Sequence, residues 1–194
     1  MSAQQAQFIT PEEYLAQERE RDYRSEYLDG RVYAQAGGSR RHNLIVASVI
    51  AALYAQLRGR TCELFPSDMR VHVPGTRFYA YPDVSIACPP LLFDDQRQDT
   101  LLNPVVLIEV LSPSTENFDR GRKFRLYREL ESFQEYLLIA QDNLHVEHYV
   151  RQPDQQWLFV EYEDRAATVQ INSVGCILAL SDIYERIDFN TAEL

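Results

Sequence analysis

Two apolar stretches of strand type each carry one acid where a hydrocarbon side chain would be easier to bury. They are "YPDVSIA" (81–87), with Asp83, and "VVLIEVLSPST" (105–115), with Glu109. An unpaired buried carboxylate is costly, and is normally neutralised, hydrogen-bonded or bound to a cation. On neighbouring strands two such carboxylates can converge on one point and hold a hard divalent cation. Mg²⁺ needs only one or two carboxylates and completes its shell with water. An ion held that way polarises a phosphoryl oxygen and makes water a better nucleophile. The plainer alternative is that Asp83 caps a turn and Glu109 pairs with an arginine.

The residues downstream of Glu109 bear on that choice. "DRGRKFRLYR" (119–128) contains Arg120, Arg122, Lys123, Arg125 and Arg128. Lys123 and Tyr127 are four apart, so on a helix they share a face that can reach over the carboxylates. A lysine there could stabilise a pentavalent phosphate or orient the attacking water. A solvated basic face with Tyr127 in the core explains the arginines well and Lys123 less well.

The elements that must position these groups follow from local signals. "TPEEYLAQER" opens a helix, with Thr10 as N-cap, Pro11 at the first position and Glu13 closing a capping box. "SEYLDGRVYAQAGG" reads as a hairpin turning at Asp29-Gly30. "SRRHNLIVASVIAALYAQLRG" is a helix apolar on most of its circumference and is expected to be buried. "CELFPSDMRVHVPG" gives one or two strands, with Met69, Val71 and Val73 alternating against Arg70 and His72. Asp83 then begins a strand after Pro82, with Ser85 and Ala87 on its face. "PVVLIEVL" and "EYLLIA" read as strands covered on both sides. "HVEHYV", "WLFVEYE" and "TVQI" form an antiparallel meander, closed by a short helix "SDIYERI" capped by Ser181. The expected result is an α/β fold, a mixed central sheet flanked by helices, in a single domain spanning 1–194.

The chain has 29 acidic and 19 basic residues and a net charge of −10. That excludes a general coat of positive charge for nucleic acid but leaves room for a local basic groove. Cys62, Cys88 and Cys176 are odd in number and form no CxxC pair, which predicts reduced, buried thiols rather than a disulfide frame or a zinc site. No window reaches the ~18 uninterrupted apolar residues of a membrane span, and "MSAQQAQFIT" lacks a basic n-region and an apolar h-region. A cytoplasmic protein is the expectation. His145 and His148, three apart on a strand, face opposite sides and cannot chelate together. No glycine-rich phosphate loop, GxSxG or Cys/His nucleophile pairing is found.

"PDVSI", "VVLIEVLSPST", "DRGRKFRLYREL" and "EYLLI", in that order, resemble the Uma2 family, formerly a domain of unknown function abundant in cyanobacteria. That family is placed in the PD-(D/E)xK restriction-endonuclease-like superfamily. The resemblance runs from "EYLDG" to "DIYERI", and "EVLSPST" followed by D, K and Y is its specific signature. It implies a restriction-endonuclease-like core and a Mg²⁺ site in which Mn²⁺ can substitute. Asp83 matches the motif's aspartate and Glu109 its acidic member. The superfamily lysine two residues after the acid is here Leu111, and Lys123 on the helix is its implied replacement. Glu26 resembles the glutamate of the family's E-x-L-D-G segment and is implied as a third metal carboxylate. His42 resembles the histidine that follows it, orienting the site or touching phosphate, with a helix-end structural role as the alternative.

The leading expectation is therefore a Mg²⁺-dependent DNA endonuclease. Its metal ligands would be Asp83, Glu109 and Glu26, with Lys123 catalytic and His42, Tyr127, Arg122 and Arg120 near the substrate. By analogy with restriction-type folds a homodimer is expected. Leu111 and the acidic net charge favour a second reading, a catalytically silent nucleic-acid-binding or regulatory module. A third is a partner-binding protein whose carboxylates sit in salt bridges with the arginines.

Overall fold

The computed structural model describes residues 8–190. Helix α1 (Pro11–Glu18) starts with the expected reciprocal cap: Glu13 N–H donates to Thr10 Oγ1 at 3.2 Å and Thr10 N–H to the Glu13 carboxylate at 2.7 Å. Strands β1 (Ser25–Leu28) and β2 (Arg31–Ala34) form the expected hairpin. Asp29 and Gly30 both sit at positive φ, 49° and 84°, as a two-residue turn matching the strand twist requires. Helix α2 (Arg40–Leu57) is capped by Ser39, whose Oγ accepts the His42 N–H. It is less enclosed than its composition suggests: Ile45, Val49, Leu53 and Leu57 make one buried stripe at four-residue spacing, whereas Tyr54 is 60% exposed. A helix lying on one side of a sheet covers only the stripe it presents.

There follow β3 (Glu63–Pro66), β4 (Arg70–His72), β5 (Phe78–Ala80), β6 (Val84–Ala87), β7 (Thr100–Leu101) and β8 (Val106–Leu111). A helical segment comes next: α3 (Glu116–Phe118), a π turn over Asp119–Lys123, and α4 (Phe124–Tyr127). The chain ends its described part with β9 (Glu135–Ala140), β10 (Val146–Arg151), β11 (Trp157–Tyr162), β12 (Thr168–Ile171), β13 (Cys176–Ala179) and α5 (Leu180–Ile183). Among the described residues the main sheets run β11-β10-β9-β8-β6-β3 and β2-β1-β5-β4-β7. In the first, β8 and β9 are parallel and the other neighbours antiparallel. No helix among the described residues is long and apolar enough to cross a membrane.

Strand β8 is buried along its whole length because both of its faces are covered. Val106, Ile108 and Val110 pack with α2, β12, β13 and α5, while Leu107 and Leu111 pack with α4 and the β1–β5–β4 sheet. Glu109 belongs by alternation to the second face.

Four expectations are corrected. The "TVQI" strand leaves the meander and pairs with β13, because Val169 and Ile171 face the α2 side of the core instead of extending the sheet edge at β11. Ala179, not Ser181, stands at the start of α5, and Ser181 bonds Asp182 instead. Arg70 does not point outward: it is 2% exposed and hydrogen-bonded throughout. Cys62 and Cys88 are joined in a disulfide rather than reduced, and only Cys176 is a free, buried thiol. The bond follows from register. β3 and β6 pair Glu63 with Ala87, so their flanking residues Cys62 and Cys88 meet one step further along, at a Cα separation of 4.1 Å. Cysteine usage therefore carries no argument about compartment.

Candidate active site

The antiparallel pairing of β6 and β8 places Val84 opposite Ile108. One step on, Asp83 stands opposite Glu109, and its Oδ2 accepts the Val110 N–H at 2.7 Å. The acid thus closes the ladder where β6 begins, which fixes its position beside Glu109. His42 Nε2, from the first turn of α2, lies 3.2 Å from the same Asp83 oxygen. Gly38 lets the preceding loop pass close over that ring, since a Cβ there would meet His42 Nδ1 at 2.5 Å. Nδ1 is buried without a hydrogen-bond partner.

From the opposite side the helical segment lowers Lys123 onto the sheet. Its ammonium is 2.9 Å from Glu109 Oε1, 2.9 Å from Glu26 Oε1 and 3.3 Å from Asp119 Oδ1. Glu26 comes from β1, so this one side chain ties together both main sheets and the helical segment. Tyr127, fully buried one turn after Lys123, donates its hydroxyl to Glu109 Oε1 at 3.3 Å. The shared face read from the four-residue spacing is the one that covers Glu109. Glu26 Oε1, although close to the ammonium, has no hydrogen bond of good direction.

The cluster sets Glu26, Asp83, Glu109 and Asp119 against Lys123 and His42. Burial pushes the Glu109 carboxyl well above the usual range; Lys123 opposes that shift, while Asp119, Asp83 and Glu26 add to it. Burial alone would lower Lys123, but Glu109 first and Glu26 next outweigh it and hold the ammonium well above its ordinary value. His42 is likewise lowered by burial and raised further by Asp83, with a net upward shift.

Of the sequence candidates, Asp83, Glu109, Glu26, Lys123, His42 and Tyr127 come together. Arg120 and Arg122 do not. Arg120 is held by Glu147 at 2.7 Å and Glu116 at 2.5 Å, and Arg122 by Asp29 at 2.5 Å on the surface. Glu109 pairs with Lys123, not with an arginine. Asp119 was missed as a participant. It is 3% exposed and stands four residues before Lys123, a spacing visible in "DRGRK" that signals an intrahelical pair.

The donor set suits a hard cation: carboxylate oxygens in excess of local positive charge, with one poorly directed acceptor on Glu26. Among the described residues no group of three or more His, Cys, Asp and Glu side chains forms a ready cage. What fits is an ion held by the facing pair Asp83 and Glu109 and completed by water, the manner of Mg²⁺ rather than of a closed structural site.

Comparison with known proteins agrees with this architecture. A crystal structure from Anabaena variabilis, described as that of "a putative nuclease belonging to DUF820", superposes with a TM-score of 0.75 at 19% identity. It covers 91% of this chain and 98% of its own, so the restriction-endonuclease-like mixed α/β fold is shared. Two uncharacterized proteins of Synechocystis are similar in sequence. One is 35% identical over 93% of this chain and 94% of its own length, the other 36% identical over 84% and 93%. The model of the Uma2 family, described as "Putative restriction endonuclease", matches residues 11–181, and the chain belongs to that family.

Proposed function

We propose that the chain is a Mg²⁺-dependent nuclease that hydrolyses phosphodiester bonds in DNA. The observation that carries this reading is Lys123 standing against Glu109 at 2.9 Å, beside Asp83. It supplies the acid pair and the lysine of a phosphodiesterase site although Leu111 fills the usual lysine position. Asp83 and Glu109 would hold the ion, with Glu26 as a third carboxylate within reach of the same ammonium. The chemistry such an ion, Mg²⁺ or Mn²⁺, would supply there is polarisation of a phosphoryl oxygen and a lowered pKa for a bound water.

The other roles belong to the chain itself. Tyr127 fixes the Glu109 carboxylate by its hydroxyl, and His42 with the Val110 N–H fixes Asp83. Lys123 places a positive charge where the phosphate gains negative charge in the transition state. Arg122, half exposed, can exchange Asp29 for a backbone phosphate, whereas Arg120 is more firmly tied.

A specific observation favours a second reading. With three carboxylates on one ammonium, the same cluster serves as a structural tie between the sheets in a catalytically silent binding module. Nicking of supercoiled plasmid by wild type, Glu109→Gln and Lys123→Met at matched Mg²⁺ decides. A nuclease loses about a hundredfold or more in either variant. A wild type that leaves plasmid intact with Mg²⁺ and Mn²⁺ alike returns the site to the silent module.

A further inference from the structure

We infer that Lys123 is the resident counter-cation of this cluster, and that Asp119 is the positioning residue onto which it withdraws when a divalent ion takes Glu109. The inference rests on the metal-dependent reading above and adds a competition to it.

The ammonium already occupies the position of a cation. It lies 2.9 Å from an oxygen of Glu109 and 2.9 Å from an oxygen of Glu26, one from each main sheet. A divalent ion drawn to Glu109 must therefore share or displace the lysine's strongest contact, and two cations at that range repel. Lys123 is 4% exposed, so it cannot retreat into water without rebuilding the helical segment. One acceptor is built for retreat. Asp119 is 3% exposed, sits on the same helical segment and is the least tightly engaged of the three carboxylates, at 3.3 Å. Its contact with Lys123 spans the π turn and depends on neither sheet. The Tyr127 hydroxyl keeps hold of the Glu109 carboxylate while the ammonium moves. Without Asp119, the displaced charge would be buried with Glu26 as its remaining partner.

The test is calorimetric titration of the intact, chelator-treated chain with MnCl₂. Lys123→Met, which keeps the stem and removes the charge, is expected to bind Mn²⁺ about tenfold more tightly than wild type. Asp119→Asn is expected to bind about fivefold more weakly while Lys123 is present, and less than twofold more weakly in the Lys123→Met background. A role for Asp119 in folding alone would not produce that non-additivity. Lys123→Gln repeats the first comparison if Lys123→Met does not fold. Wild-type Mn²⁺ binding with no gain in either lysine variant, or additive effects of the two substitutions, overturns the competition and leaves the metal site standing. Absence of Mn²⁺ binding in wild type and lysine variants alike overturns both.

Discussion

Arg70 and Lys123 are both nearly excluded from solvent, at 2% and 4% exposure, yet their surroundings follow opposite rules. Arg70 spends every arm of its guanidinium. Nε donates to Thr100 Oγ1 at 2.9 Å, Nη1 to the Tyr81 hydroxyl at 2.8 Å and Nη2 to Asp99 at 3.1 Å. Asp99 is shared with Arg19, which also holds Asp95, so two cations meet two anions. Lys123 instead faces three carboxylates, with Asp83 beyond them and Glu26 Oε1 poorly satisfied. A balanced network has nothing left to bind, while an unbalanced one retains capacity for a cation. Charge balance, more than burial, separates the part of this molecule that holds the fold from the part proposed for chemistry.

The largest effect that sharpens the contrast is on stability. Arg70→Met should cost about 2 kcal/mol in urea denaturation at neutral pH. It removes the buried donor to Thr100 and Tyr81, while Thr100 still bonds Asp99, and Asp99, a third exposed, keeps Arg19 and limits the loss. Mn²⁺ affinity should not change. A cost below about 0.5 kcal/mol, on the scale of an exposed ion pair, would break the comparison from the Arg70 side.

A smaller effect appears in acid. The hydrogen bond from Arg19 is the main cause holding Asp99 at about 2, well below an ordinary aspartate. A depressed carboxyl contributes stability that is fully present above the unfolded value near 3.8 and is lost as pH falls through the folded one. The stability gap between wild type and Asp99→Asn should therefore shrink steadily from pH ~4 toward pH ~2. For so exposed a side chain the whole gap is about 1 kcal/mol. A gap independent of pH across that window would mean that Asp99 matters for packing and not for charge.

Much of the site was readable from the sequence because its parts obey short-range rules. Pro82 and the alternation of β6 and β8 locate Asp83 and Glu109, and a four-residue step puts Lys123 with Tyr127. What escaped depends on register or on partners far along the chain. The Cys62–Cys88 bond needs the pairing of β3 with β6, across a separation of 26 residues. Arg70 obeys strand alternation, but β4 lies between β5 and β7, and Tyr81, Asp99 and Thr100 close over the side that alternation assigns to solvent. The four-residue step from Asp119 to Lys123 was in view, but the π turn that carries it inward was not announced by any local pattern.

The smallest expected effect concerns the contact that joins α2 to the cluster. Burial pulls the His42 imidazole below its ordinary value, and the hydrogen bond and charge of Asp83 lift it above 6.5. The sign is opposite to that of Asp99. A raised histidine contributes stability that is fully present below its unfolded value and is lost as pH rises through the folded one. In chelated buffer the gap between wild type and Asp83→Asn should thus be widest below pH ~6.5 and narrow on the alkaline side, by about 1 kcal/mol or less. Nuclear magnetic resonance titration of the ring gives the sharper readout. Wild-type His42 should titrate above a free histidine and, with burial then opposed by Asp119 alone, Asp83→Asn should bring it clearly down. A midpoint that stays high in the variant would mean that a carboxylate other than Asp83 governs the ring, with Asp119, the other acid acting on it, as the first candidate. His42 would then belong to the Lys123 side of the cluster, and the two halves of the site would be one electrostatic unit.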